Sequence, residues 1–173
     1  MTEMFDLVNE YMEPTGETHE RGIPVPDGKY HIVVTVASVN FEGKLLITQR
    51  DPGKPYGGYW EITEGSVISG ETTLQGAVRE LFEETGLRAL PEALDYRGNI
   101  VYKRSGHCHI VAFYLFRADF HEEDIVLQPG ETVGARLVYP DEVFGMAKSG
   151  SFLPFVANRL KAVFPDVFGE NQI

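Results

Sequence analysis

Apolar and polar positions along this chain follow two rhythms, and the switches between them mark out its elements. Residues 30–39 (YHIVVTVASV) form a run rich in β-branched side chains, residues 40–43 have turn composition, and residues 44–49 turn apolar again. Together they predict a β-hairpin. Shorter runs of the same kind predict strands over residues 59–62, 94–103, 109–117 and 135–139. Between them Leu74, Ala77, Val78 and Leu81 recur at helical spacing, which predicts a helix over residues 72–85 closed by Gly86. Pro140 can open a second helix over residues 141–148. Phe155, Val156, Leu160 and Val163 place a last one over residues 153–164. Strands and helices mix without a regular βαβ alternation. The fold class is therefore α/β in the broad sense (α+β), with helices packed on a mixed sheet.

Three stretches lack either rhythm. Residues 51–58 (DPGKPYGG) hold two Pro and three Gly and read as a loop, and residues 127–131 contain a Pro-Gly turn. Residues 1–29 are rich in Gly, Pro, Thr and charge and read as loop and turn. They are expected to form an N-terminal extension ahead of a single domain over residues 30–173. Phe5, Leu7, Val8, Tyr11 and Met12 would anchor that extension on the core or on a partner.

Composition changes this picture little, and charge changes it more. Of 173 residues 43% are hydrophobic and 24% charged, which suits one globular domain and excludes a disordered or collagen-like chain. Fifteen Lys and Arg face twenty-six Asp and Glu, a net charge of -11. Such a surface repels phosphates, which argues against direct binding of a nucleic-acid polymer and against docking on anionic lipid. A small phosphorylated compound stays admissible if a metal ion stands between it and the protein. Cys108 is the single cysteine, so no disulfide forms within the chain, and a reducing compartment is favoured. The acidic start MTEMFDLVNEY has no signal-peptide pattern, and no apolar stretch approaches the roughly 18 residues of a membrane span. The expectation is a soluble, cytoplasmic protein without a membrane partner.

The chemistry concentrates in residues 65–87 (GSVISGETTLQGAVRELFEETGL). On the expected helix Glu80, Glu83 and Glu84 stand at i, i+3 and i+4 and share a face. Like charges at that spacing destabilise a helix by roughly 0.2–0.5 kcal/mol per pair. A divalent cation would reverse the sign, and hard cations such as Mg²⁺ take oxygen ligands. A pair of glutamates on a helix is more often a solvated face, and Arg79 alone would read as a surface ion-pair partner. The whole spacing outweighs that reading: Gly65 opens the loop, Glu71 precedes the helix, and Gly86 and Leu87 close it.

This stretch resembles the Nudix box, in which a Gly, a Glu, an Arg-Glu pair, a Glu-Glu pair and a closing Gly recur at fixed intervals. Gly65, Glu71, Arg79, Glu80, Leu81, Glu83, Glu84, Gly86 and Leu87 fill every fixed position. The resemblance implies an α/β/α sandwich whose loop–helix–loop holds Mg²⁺ or Mn²⁺ and a diphosphate. It implies hydrolysis of a diphosphate bond in a nucleoside diphosphate linked to another moiety. By position, Glu83 and Glu84 match metal ligands, Glu80 a ligand or the base that activates water, and Arg79 the residue that orients them. The Gly65 carbonyl matches a further ligand, while Glu71 and Gly86 match loop support. Family members often add a carboxylate from a later loop, for which Glu131 is the candidate, with Glu64 and Glu61 ranked behind it. Family members are also often dimers, and the extension could swap or pack across such an interface.

A second resemblance lies ahead of the box. Gly28-Lys29-Tyr30-His31, the β-run, Asn40, Gly43, Leu45-Leu46 and Gln49-Arg50 are similar to the entry of isopentenyl diphosphate isomerases, which share the domain. His31 falls where that branch places a metal-binding His; a strand His with one hydrogen bond is the preferred reading here. The branch has a catalytic Cys just before the first Gly of the box, where this chain has Glu64, and a His just after it, where this chain has Ser66. Isomerase activity is therefore the runner-up to hydrolysis, and a non-catalytic nucleotide-binding module ranks below both, because the box is complete. Tyr102 lies fifteen residues past Leu87, an offset seen in some dinucleoside polyphosphate hydrolases, though a cross-strand aromatic is an equal reading. Lys54, Lys103 and Arg104 could meet phosphate at a pocket mouth. Phe113, Tyr114 and Phe116 alternate within a strand, so one of them could stack on a base.

Overall fold

The computed structural model describes residues 2–103 and 107–169, so Arg104 lies outside the described residues. In chain order the elements are β1 (Met4–Val8), β2 (Pro14–Glu20), β3 (His31–Asn40), β4 (Leu45–Arg50), β5 (Trp60–Glu61) and β6 (Thr63–Ser66). There follow α1 (Thr73–Thr85), β7 (Leu94–Tyr102), β8 (His109–Ala118), β9 (Thr132–Val138), α2 (Pro140–Lys148), α3 (Pro154–Val163) and α4 (Pro165–Phe168). β3 to β9 form a seven-stranded sheet in the order β5-β4-β3-β8-β7, with β6 added to β3 and β9 to β4. β3 and β8 run parallel from His31↔His109 to Asn40↔Ala118. The other pairings are antiparallel, so the sheet is mixed.

The two faces of the sheet are read off β8. Val111, Phe113 and Leu115 point one way and pack with Val143 of α2, Val156, Ala157 and Leu160 of α3, and Val167 and Phe168 of α4. Ala112, Tyr114 and Phe116 point the other way and pack with Ala77 and Leu81 of α1. A strand covered on both faces needs apolar residues throughout, which is why these runs do not alternate with polar ones. The result is a sheet sandwiched between α1 and the α2–α4 group. It also corrects one expectation: Phe113, Tyr114 and Phe116 are all buried, so none presents a face to a base.

The N-terminal extension is not loop. β1 and β2 form an antiparallel hairpin with Phe5↔His19 and Val8↔Pro14 in register. Leu7 and Val8 join Val25, Tyr30, Cys108 and Ile110 in a third apolar cluster, and Val8 and Tyr30 exchange backbone hydrogen bonds of 2.9 Å. The anchor is thus the chain's own core, and Tyr11 stays exposed. β2 (PTGETHE) has no apolar rhythm of its own; pairing with β1 makes it a strand. β6 was not foreseen either. It pairs Val34↔Gly65 and Thr35↔Glu64, which seats the start of the acidic loop beside the central strand.

Candidate active site

The site is assembled by the segment from β6 through α1. Thr72 caps α1, its Oγ1 accepting from the Gln75 N–H at 3.2 Å while Gln75 Oε1 accepts from the Thr72 N–H at 2.8 Å. At the other end Gly86 has φ 74° and donates its N–H to the Phe82 carbonyl at 2.8 Å. A Cβ there would also stand 2.8 Å from Val126 Cβ, so the position needs glycine twice over. Gly65 is required for a different reason. A Cβ on it would fall 1.9 Å from the Glu80 carboxyl carbon, so that carboxylate lies directly against the glycine.

Arg79 ties the segment together. Its Nε donates to Glu71 Oε1 at 2.7 Å and its Nη2 to Glu71 Oε2 at 2.9 Å, a bidentate pair. Nη1 donates to Glu80 Oε1 at 2.8 Å and Glu83 Oε2 at 3.1 Å, and Nη2 reaches the Ser66 carbonyl at 2.9 Å. Its hydrogen bonds to Glu71 lead the causes that push its guanidinium pKa still higher. Burial raises Glu71, but hydrogen bonds from Arg79 and the Ile68 N–H outweigh it and hold that carboxyl below its ordinary value. Glu71 therefore fixes loop to helix, as its position in the box implies.

Glu84 faces away from this hub. Its Oε2 is buried without a hydrogen-bond partner. Burial, then repulsion from Glu61 and Glu80, drives its pKa well above the carboxylate range. Glu61 is nearly as enclosed, at 5% exposure, and burial lifts it to about 7 even though Arg50 Nη1 donates to it at 2.6 Å. Glu80 is raised by burial first, against the pull of Arg79 and with repulsion from Glu83 and Glu3. Glu64 Oε2 accepts from Thr35 Oγ1 at 2.8 Å and from Arg159 Nη1 at 3.2 Å. Glu83 is the most open of the box carboxylates, with 41% of its side chain exposed. Glu131 acts on Glu61 from a distance, but its carboxylate is engaged by Lys54. Tyr102 stacks on His109 at 4.9 Å and lies under the Arg159 guanidinium at 5.0 Å, a cross-strand aromatic with a cation above it. Lys103 pairs with Glu10 of the N-terminal hairpin.

Among the described residues no three His, Cys, Asp or Glu side chains stand ready as a finished metal cage. The donors nonetheless fit a hard divalent cation. Glu84 Oε2 lacks a partner, Glu61 and Glu80 are close enough to repel it, and the absent side chain of Gly65 lets the Glu80 carboxylate lie against the backbone. Sequence reasoning ranked Glu61 low and missed Arg50 and Arg159. Arg159 did leave a signal: it occupies the apolar stripe Val156–Leu160–Val163 of α3, where a charge needs a buried partner.

Comparison with known proteins follows the same residues. A family model described as NUDIX domain matches residues 29–156. The chain is 35% identical over 157 residues to an uncharacterized Nudix hydrolase of Listeria monocytogenes, covering 88% of this chain and 89% of that one. It is 42% identical over 84 residues to an isopentenyl-diphosphate delta-isomerase of Pectobacterium atrosepticum, covering 47% and 46%. A crystal structure of a Deinococcus radiodurans protein, DR0079, superposes with a TM-score of 0.73 at 23% identity, covering 94% of this chain and 99% of that one, which is a likeness of fold.

Proposed function

The chain belongs to the Nudix family of hydrolases, and on that premise we propose that it cleaves the diphosphate bond of a nucleoside diphosphate joined to another moiety, with Mg²⁺ or Mn²⁺. Hydrolases of this family act on pyrophosphate bonds and generally need a divalent metal. The observation that carries the proposal is Glu84: a buried, unpartnered carboxylate beside Glu61 and Glu80, on a helix that Arg79 locks to its loop. Glu83, Glu84 and the Gly65 carbonyl would hold the cation, and Glu80 is kept as the base. Once bound, it would neutralise charge on the phosphate oxygens and make an attacking water more acidic.

The remaining work falls to the chain itself. Arg79 holds Glu80 at Nη1 and keeps its carboxylate against Gly65. Burial raises the proton affinity of Glu80, which suits a general base. The water oxygen then bonds to phosphorus, its proton passes to Glu80, and the bond from phosphorus to the bridging oxygen breaks. The second phosphate leaves with that oxygen and its electron pair. A cytoplasmic site of action and a homodimer belong to the same reading, the dimer being testable by sedimentation equilibrium. Isomerase activity has less support. Glu64 stands where that branch has its cysteine, and the lone Cys108 is buried in the N-terminal cluster.

The test is product release from a panel of diphosphate compounds with Mg²⁺ and with Mn²⁺. Turnover of at least one is expected. Glu80→Gln or Glu83→Gln should cut its rate about 10²–10⁴-fold with an unchanged melting temperature. No turnover of any compound, with Glu83→Gln binding metal as wild type does, would remove the proposal.

A further inference from the structure

The strand β1 grips the loop that leads into the catalytic helix. Ser69 and Gly70 have three hydrogen-bond donors between them, and all three end on β1. The Ser69 N–H meets the Met4 carbonyl at 2.8 Å. Ser69 Oγ and the Gly70 N–H share the Asp6 carboxylate, at 2.6 Å to Oδ1 and 2.9 Å to Oδ2. Strand alternation brings this about: Phe5 and Leu7 point into the core, so Asp6 points outwards to the loop. Gly70 has φ 86°, a left-handed conformation that glycine adopts at little cost.

Both ends of the gripped loop belong to the site. Ahead of it, Arg79 Nη2 donates to the Ser66 carbonyl at 2.9 Å, one residue past Gly65. Behind it, Glu71 takes the bidentate pair from Arg79 and accepts from the Ile68 N–H at 3.2 Å. The Glu71 N–H in turn donates to the Ile68 carbonyl at 3.1 Å. A shift of Ser69 and Gly70 therefore carries Glu71 with it. The guanidinium follows Glu71, and Glu80 follows the guanidinium through the 2.8 Å bond from Nη1. The gripping strand is the firmer partner, since Phe5 and Leu7 are buried and Val8 is paired to Tyr30. Asp6, Ser69 and Gly70 are themselves exposed. Water competes for such bonds, so they add little to overall stability. What they set is where the loop sits.

We infer that Asp6 is a positioning residue for hydrolysis: its carboxylate fixes the loop that ends in Glu71 and so, through Arg79, holds the Glu80 carboxylate in place against Gly65. For its effect on rate this role rests on the diphosphate-hydrolase reading above; for its effect on Arg79 it does not. The N-terminal hairpin thereby acquires a task in the site.

The test pairs an activity readout with one that needs no turnover. The Arg79 Nε–H, which donates to Glu71 at 2.7 Å, is followed by nitrogen–proton NMR in the metal-free full chain. In parallel, kcat and KM are measured with Mg²⁺ on the compound of the diphosphate panel that wild type cleaves fastest. Asp6→Ala is expected to shift the Arg79 signal and speed its exchange with water. It should lower kcat about 10–10²-fold and leave KM within about twofold, since Asp6 acts on the geometry of Glu80 and not on the substrate. Asp6→Asn should recover most of kcat, because its amide can accept from the Gly70 N–H and donate to Ser69 Oγ, a hydroxyl able to serve either way. Ser69→Ala should reproduce part of the loss, and combining it with Asp6→Ala should add nothing further. Thr15→Val controls for hairpin stability: it removes the 2.9 Å bond from Thr15 Oγ1 to the Leu7 carbonyl and should leave kcat and the Arg79 signal as in wild type. All rates are read at a temperature where every variant is folded. An unmoved Arg79 signal in Asp6→Ala, a loss of kcat below about threefold, or a change confined to KM would overturn the inference. So would an Asp6→Asn no faster than Asp6→Ala, or an equal loss in Thr15→Val. Failure of the hydrolase reading has a different signature: wild type cleaves nothing on the panel. The Arg79 signal then decides alone, moving in Asp6→Ala if Asp6 holds the loop and staying in place if it does not.

Discussion

The carboxylates of the acidic segment divide into two groups with opposite surroundings. Glu71, Glu80 and Glu83 share one guanidinium, which donates to all three and to a backbone carbonyl. Glu84 and Glu61, on the other side, share burial and mutual repulsion, with Arg50 serving Glu61 and no hydrogen-bond donor reaching Glu84 Oε2. The first group is hydrogen-bonded from within and fixes the geometry of loop and helix. The second is left wanting a proton or a cation. Glu80 belongs to both, since it accepts from Arg79 and repels Glu84. Carboxylates on one helix face thus differ in role by whether the Arg79 guanidinium reaches them.

The sharpest way to break this comparison is Glu84→Gln. Activity should fall at least about 10³-fold, since a cation would lose a buried ligand. In EDTA the variant should melt no lower than wild type, because the amide removes the repulsion that Glu84 shares with Glu61 and Glu80. A lower melting temperature in EDTA would show that Glu84 is already satisfied. Arg79→Ala attacks the other group. It strands Glu71 and Glu80, whose side chains are 18% and 14% exposed, and should cost about 3 kcal/mol in urea unfolding. Arg79→Lys should recover little of that, having neither the fork nor the number of donors. Wild-type stability in Arg79→Ala would remove the hub from the account.

His31 shows burial and charge repulsion acting together in a region away from the helix. Its folded pKa, about 4, lies below the ordinary 6.5. The unfolded chain therefore takes up a proton that the folded one refuses as pH falls between those values. The sign is a loss of stability on acidification below about pH 6.5, amounting to about 2 kcal/mol by pH 5. Unfolding free energies at pH 7.5 and 5 should differ by about that much more in wild type than in His31→Gln. The smallest effect belongs to the Lys54–Glu131 pair, which is part-exposed at 29% and 42%. Lys54→Ala should change stability by no more than about 0.5 kcal/mol. Glu131→Gln should slow turnover far less than Glu84→Gln; parity between them would place Glu131 among the metal ligands.

How much of this was legible in the chain follows from the range of each interaction. The loop–helix segment was readable because its signals are local: Glu80, Glu83 and Glu84 share a face by helical spacing, and Gly86 closes the helix from one position beyond it. Glu61 and Arg50 were not, because their proximity to Glu84 depends on how β5 pairs with β4, through Thr48↔Glu61 and Gln49↔Trp60. Arg159 arrives from α3, ninety-five residues beyond Glu64. The hairpin of β1 and β2 was the largest miss. Its second strand lacks apolar residues and is held by backbone pairing, while Asp6 of the first accepts from Ser69 Oγ at 2.6 Å and the Gly70 N–H at 2.9 Å. Those bonds tie the extension to the acidic loop, a contact that no local pattern encodes.

The most direct test of the central claim is product release from the diphosphate panel by wild type and Glu84→Gln, each measured in Mg²⁺ and in EDTA. The account predicts turnover by wild type in Mg²⁺ alone, and none above background in the other three conditions. Turnover by wild type in EDTA, or a Glu84→Gln rate in Mg²⁺ equal to wild type, would contradict it.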